Sequence, residues 1–341
     1  MIKTSKTLSA LCAAIGLAGA LGSGAAASDT WKMQTLWTSG SINQKLVERF
    51  AKDVDEMTGG EVRIKVFPVG AVVPFTETLE AVGRGILEAE HTGSVYFAGS
   101  EPAMALIGDM NGAYENSYQL TDWFYYGGGL ELAREVYERF NLYYVGPVSW
   151  GMGSVPTKKR VERMADFKGV KMRVVPGMGS DLMTRLGAST VTMPGSEVFS
   201  ALDKGVIDAT QWGTLSMNEE LGFYQAAKFS LTPGFYSNPA ADFAVNLDTW
   251  NELEPEVQKL IEMAVRDLDR EMTAQTRLAD LDVLANAEAR GLTLVDWSEE
   301  ERRAFREEAA VVWKDWSARS ELAGRVYESH VAFLTKLGLL D

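Results

Sequence analysis

Gly59-Gly60-Glu61-Val62-Arg63-Ile64-Lys65-Val66-Phe67 is the stretch on which the architecture turns. Before the two glycines, Leu46, Val47, Phe50 and Val54 recur at helical spacing within Ile42 to Met57. After them, Val62 to Phe67 alternates apolar and polar residues cleanly. The period drops from about 3.6 to about 2 across the glycine pair, which reads as helix, turn, strand. Working outward, Trp31 to Leu36 alternates weakly as a strand, Phe75 to Val82 has the pattern of a short helix, and Ile86 to Thr92 reads as another strand. Strands separated by helices imply parallel sheets with crossover helices, so the fold class is α/β.

The pattern resumes further along. Leu142 to Val148 and Val170 to Val175 read as strands, Gly179 to Leu186 and Glu197 to Lys204 as helices. A long helical stretch starts at Pro255, just after the cap region Asp248–Asn251, and extends toward Ala289, with Gly291 as its stop. Leu292 to Trp297 reads as a short strand, and two amphipathic helices, roughly Glu299–Ala318 and Leu322–Leu337, close the chain. No repeat or low-complexity linker interrupts this order. At 341 residues the chain has room for two domains of about 100–200 residues each, so two α/β lobes joined by strands are expected.

Composition narrows the function. Lys and Arg number 33 against 47 Asp and Glu, a formal net charge of −14. Such a surface repels phosphate backbones, which argues against nucleic acid as a partner. Residues 1–28 read as a secretory signal: Lys3 and Lys6 open it, Leu8 to Leu21 carries no charge, and Ala25-Ala26-Ala27 supplies small residues for cleavage near 27–28. The apolar run is shorter than the roughly 20 residues that span a bilayer. Cleavage would remove Cys12, the single cysteine, and the two lysines, taking the charge from −14 to −16. A cysteine-free exported chain suits an oxidising compartment.

Catalytic signatures are missing. The sequence has no Gly-Lys pair for a phosphate-binding loop, no HExxH and no GxSxG. Gly151-Met152-Gly153 and Gly177-Met178-Gly179 lack the third glycine of a dinucleotide fingerprint and read as turns. His91 and His330, the two histidines, lie on different expected elements and read as structural or surface residues.

Three segments carry candidate binding chemistry. In Lys168-Gly-Val-Lys-Met-Arg173-Val-Val-Pro176-Gly177, an arginine sits near the end of an apolar strand. A guanidinium there needs an anion: an internal Asp or Glu, or a ligand carboxylate held by two parallel hydrogen bonds. Ligands bind at the carboxyl ends of such strands in open α/β sheets. In Gly205-Val-Ile-Asp208-Ala-Thr-Gln211-Trp212-Gly213, a short strand ends in an amide and an indole, which suit either a core or a pocket wall. In Pro233-Gly234-Phe235-Tyr236, two aromatics on a turn form either a hydrophobic plug or a pocket wall.

These segments, with ETLEAVGRG at Glu77–Gly85 leading to His91-Thr92, the stretch Pro194-Gly-Ser-Glu197 through Gly205-Val-Ile-Asp208-Ala, Glu219 to Lys228, and the end Val295-Asp-Trp-Ser through Val326-Tyr-Glu-Ser-His330, give the mature chain its resemblance. It resembles the DctP-type solute-binding proteins of tripartite ATP-independent periplasmic (TRAP) transporters, nearest the 2-oxo-acid and lactate branch. The resemblance implies a two-lobed periplasmic binding protein fold with a cleft between lobes and a long helix spanning both. It implies 29–151 plus roughly 238–275 as lobe I, 152–237 plus roughly 276–297 as lobe II, and 298–341 as C-terminal helices. It also implies that Arg173 pairs with the solute carboxylate while Tyr96, Gln211 and Trp212 line the cleft; Trp150, Met152, Phe235 and Tyr236 are expected beside them. That branch holds a cation on three oxygen ligands, and at those positions this chain reads Met152, Gln211 and Ser237. A thioether is a poor partner for a hard cation and the negative charges are lost, so no metal and no cofactor is expected.

The resulting expectation is a non-catalytic periplasmic carrier that captures a small organic acid anion by hinge closure and delivers it to the TRAP membrane permease. The alternatives are an exported enzyme acting on a carboxylate, and a binding protein that feeds a sensor. A homodimer through the C-terminal helices is weighed against internal packing. There Phe305, Ala309, Val312, Trp313 and Trp316 line one helical face, and Val326, Tyr327, Phe333 and Leu337 add apolar surface.

Overall fold

The computed structural model describes residues 30–340; the signal reading lies outside the described residues. Among the described residues eleven strands form two sheets. The first has the order β2-β1-β3-β10-β4, from β1 (Thr30–Thr35), β2 (Arg63–Phe67), β3 (Ala89–His91), β4 (Leu142–Ser149) and β10 (Ala240–Asn246). The second runs β11-β9-β5-β8-β6-β7, from β5 (Val155–Thr157), β6 (Lys171–Arg173), β7 (Ser189–Val191), β8 (Ala209–Thr210), β9 (Phe229–Leu231) and β11 (Thr293–Val295).

The helix-turn-strand reading around Gly59-Gly60 is seen directly. The helix Ile42–Met57 is capped by the Ser41 hydroxyl, which accepts from the Gln44 amide, and β2 then pairs in parallel with β1 from Thr30↔Arg63 onward. The expectation of parallel sheets throughout is corrected in one respect. β10 runs antiparallel to both β3 and β4, and β5 runs antiparallel to both β8 and β9. The reason is connectivity: each follows a strand of the other sheet (β5 after β4, β10 after β9) and enters its sheet from the opposite end, so it cannot share the direction that right-handed crossovers impose.

The long helix is Pro255–Ala285, four residues shorter than expected. It ends at Asn286, whose side-chain amide donates to the Asp282 carbonyl at 2.8 Å and so satisfies one of the orphan carbonyls of the last turn. At about 1.5 Å per residue its 31 residues extend about 46 Å, long enough to brace both sheets. Two acids fasten it, Asp269 buried and Asp280 half-buried. Asp269 accepts from the Ser149 amide at 2.7 Å, at the end of β4. About three turns further on, Asp280 accepts from the Ser216 amide at 2.7 Å and the Thr214 hydroxyl at 2.9 Å, beside the second sheet. Burial raises the pKa of both, to about 6 for Asp269. Among the described residues no helix is long and apolar enough to cross a membrane.

The C-terminal helices Glu299–Ser317 and Glu321–Lys336 pack most of their apolar stripe inside the chain, the internal option weighed from the sequence. Phe305, Ala309, Val312, Trp313, Trp316, Val326 and Phe333 are all buried within the single chain. The Trp313 indole donates to the Asn111 carbonyl at 3.0 Å, and that of Trp316 to Asp181 at 2.9 Å. Leu337 alone of the stripe stays exposed, and Tyr327 is half-buried.

Candidate functional site

Arg173 is the last residue of β6, an interior strand with parallel neighbours on both sides. The side chain is 1 % exposed. Its Nε donates to the Met193 carbonyl at 3.1 Å and its Nη1 to the Gln211 carbonyl at 2.6 Å. The guanidinium carbon lies 4.8 Å from the centre of the Trp212 ring, a cation–π contact. Two of its five N–H bonds are thereby used, and neither proton on Nη2 has a partner among the described residues. No Asp or Glu among the described residues lies within 4.0 Å of it, so the internal acid partner weighed from the sequence is not there.

Trp212 is held by Gly195. A Cβ at Gly195 would stand 2.4 Å from the indole ring, so only glycine leaves room for it. Gly195 opens the helix Gly195–Asp203, and Pro194, Gly195 and Ser196 line the same cavity as Arg173. The positive end of a helix dipole and a buried guanidinium therefore meet at one wall, which favours an anion there.

The opposite wall comes from the first sheet. Trp37 follows β1, Asn43 lies in the first turn of Ile42–Met57, and Phe75 packs edge-on to Tyr96 at 5.0 Å. Together with Leu36, Met217 and Leu221 they enclose a cavity of about 260 Å³. Asn43 Nδ2 and Trp37 Nε1 are buried N–H donors with no partner among the described residues. A smaller recess of about 30 Å³ shares Trp37, Tyr96 and Trp212 with it and is lined in addition by Trp150, Gln211 and Asp109.

Of the residues expected at the site, Arg173, Trp212 and Tyr96 border the main cavity, and Gln211 and Trp150 the recess. The other three are placed elsewhere. Phe235 packs against Trp297 at 4.6 Å and Phe305 at 5.3 Å, and Tyr236 is buried with its hydroxyl donating to the Gly179 carbonyl at 3.4 Å. The aromatic turn is thus the plug against which the helix Glu299–Ser317 docks. Met152 lines a different cavity with Thr273 and Arg277, because its loop turns toward the long helix. Sequence reasoning passed over Trp37, Asn43 and Phe75. The available signal for Trp37 and Asn43 was their place in a strand-to-helix turn at the carboxyl edge of a parallel sheet.

Beneath the recess a polar chain links the lobes. Gln211 Nε2 donates to the Ser237 hydroxyl at 3.2 Å, and Ser237 donates to Asp109. Asp109 also accepts from Asn111 at 2.9 Å and from the Asn238 amide at 3.2 Å. Burial pushes its carboxyl up to about 7 despite these donors. Both histidines sit away from the cavity. His330 stacks on Trp123 at 3.5 Å and contacts the Tyr114 hydroxyl at 2.7 Å, and His91 Nδ1 lies 2.7 Å from the Asp242 carbonyl. Burial lowers His91 to about 4 and His330 to about 3, so both are neutral at pH 7.

Two lobes, a long brace and one buried arginine at the cavity between the sheets are the setting in which the comparisons fall. Residues 33–319 match the family model described as bacterial extracellular solute-binding protein, family 7 (DctP). The chain belongs to this family. A relative from Nostoc sp. strain PCC 7120, named a monocarboxylate 2-oxoacid-binding periplasmic protein, is 34 % identical over 89 % of this chain and 83 % of its own length. A TRAP periplasmic solute-binding protein from Rhodobacter sphaeroides, solved in an apo open form, is 34 % identical, covers 92 % of this chain and 99 % of that one, and superposes with a TM-score of 0.78. A TRAP transporter solute-binding protein from Bordetella bronchiseptica is 26 % identical over 91 % of this chain and 92 % of that one, with a TM-score of 0.83; it was solved as a dimer with copurified calcium and picolinate in one site. Like its relatives, this family 7 protein binds solute and is not an enzyme.

The calcium of the Bordetella protein raises the question of a cation here. Gln211 and Ser237 do meet, but Met152 is not with them. Asp109 is the one carboxylate on that chain, and both its oxygens are occupied by protein donors. Among the described residues no three His, Cys, Asp or Glu side chains gather in a metal-binding group. A calcium ion takes about six to eight oxygens, several of them charged, and this donor set does not fit one.

Proposed function

We propose that this family 7 protein captures a small organic monoanion in the periplasm and carries it to a TRAP membrane permease. The observation that carries the reading is Arg173: buried, fixed by two carbonyls, facing a cavity between the lobes, and without a carboxylate within 4.0 Å among the described residues. A buried cation lacking an acid is stabilised when an anion reaches it. Trp212 and Tyr96 would wall the solute, with Gln211 and Trp150 behind them. The name of the Nostoc relative supports a 2-oxo monocarboxylate, and the picolinate of the Bordetella protein supports a carboxylate more broadly.

Hinge closure is the mechanism. With lobe I taken as 29–151 plus roughly 238–275 and lobe II as 152–237 plus roughly 276–297, the chain crosses between lobes at 150–154, at 232–239 and again within the long helix near 275. Solute touching Arg173 on one lobe and Trp37 and Tyr96 on the other binds the closed form better, so it shifts the open–closed equilibrium toward it. The permease would then recognise the closed form. Small-angle scattering with and without organic acids tests this: a saturable ligand should shrink the radius of gyration and raise Tm by mass action. If no carboxylate does either, the reading fails.

A further inference from the structure

We infer that the solute is a monocarboxylate with an aromatic or similarly bulky apolar body, larger than a three-carbon oxo acid and without a second anionic group. This rests on the carboxylate reading of Arg173 and adds size, shape and charge to it.

Size comes first. A cavity of about 260 Å³ open to water centres is many times the roughly 10–15 Å³ that a single water needs on that measure. The six heavy atoms of pyruvate would fill roughly half of it or less. The unfilled half would lie against apolar walls, whose atoms would forfeit dispersion contacts. Shape follows from four aromatic rings on those walls, Trp37, Phe75, Tyr96 and Trp212, with Leu36 and Leu221 between them. Edge-to-face pairs such as Phe75–Tyr96 at 5.0 Å and Trp37–Trp150 at 5.1 Å already show the mutual geometry aromatic groups prefer. Flat faces and ring edges around a narrow space accept another ring more readily than a hydrated chain.

Charge excludes dicarboxylates. Among the lining residues Arg173 is the one Lys or Arg, and the one acidic lining residue is Glu220. A solute with carboxylates at both ends would place the second in an apolar space that offers no cation and contains a like charge. Apart from Glu220, the polar side chains lining the cavity beyond Arg173 are neutral, among them Thr38, Ser41, Asn43 and Ser196. They suit a neutral acceptor on the solute.

Calorimetry on the mature chain with two probe sets is the test. One set is phenylpyruvate, benzoate and indole-3-acetate; the other is pyruvate, lactate and malonate. The tightest aromatic acid should bind at least tenfold more tightly than the tightest small acid, about 1.4 kcal/mol. Phe75→Ala should narrow that ratio, because it removes one ring from a half-buried wall position without touching Arg173. If pyruvate, lactate or malonate binds as tightly as any aromatic acid and Arg173→Lys weakens it, the inference on solute class is overturned while the carboxylate reading stands. If neither set binds, both fall together.

Discussion

Replacing Arg173 tests the site most directly. Its guanidinium spans three directions at once: the Met193 carbonyl at 3.1 Å, the Gln211 carbonyl at 2.6 Å, and the cavity. Lysine keeps the charge but offers a single nitrogen, so it cannot hold both carbonyls and a carboxylate in one plane. At least one charge-assisted hydrogen bond to the solute is lost, each worth about 1.5–3 kcal/mol. We expect Arg173→Lys to weaken binding by about tenfold or more, since ~1.4 kcal/mol is a factor of ten. Arg173→Ala does more. It strands two buried carbonyls and leaves the solute carboxylate uncompensated, a loss of about 3–5 kcal/mol for breaking a buried pair. Isothermal calorimetry with the best organic acid reads both effects, and a parallel thermal melt separates lost affinity from lost fold. An unchanged Kd in both variants, with native melting, would refute the assignment of Arg173 as the carboxylate anchor.

Three further predictions follow from named contacts. Asp109 has a native pKa pushed up to about 7 from an ordinary value near 3.8, so the folded chain holds a proton there that the unfolded chain has released. Its share of stability is full below about pH 4 and is lost as pH rises toward 7, at up to about 1.4 kcal/mol per pH unit. Urea melts from pH 4.5 to 7.5 should show a flatter profile for Asp109→Asn; the buried histidines act with the opposite sign but are common to both proteins, and identical slopes would remove Asp109 from the account. Gly195→Ala should push the Trp212 ring away from Arg173, an overpacking cost of about 1–3 kcal/mol expressed mainly as weaker binding in calorimetry with the helix still folded. Chelator treatment in sodium-free buffer should leave solute affinity unchanged; affinity that collapses there and returns on adding sodium or calcium would show that Gln211, Ser237 and Asp109 hold a cation after all.

Local periodicity determined the α/β class. The change of period at Gly59-Gly60, the start of the long helix at Pro255 and the strand carrying Arg173 all depend on near neighbours in the chain, and the structure has them there, the strand shortened from the expected Val170–Val175 to Lys171–Arg173. The antiparallel strands were invisible for equally physical reasons. β5 has three residues, too few for a period to register, and every residue of β10 is buried, so no alternation marks it. The site divided along the same line. Arg173 was legible because a lone guanidinium in an apolar strand demands an anion wherever the strand lies. The aromatics were not, because a ring on a turn is plug or wall according to what packs against it. Phe235 and Tyr236 became plug because the helix Glu299–Ser317 docks on them through Phe305. Trp37 and Phe75 became wall because the first sheet faces the second across the cavity. Those pairings join residues far apart in the chain, and only burial of one surface against another decides them.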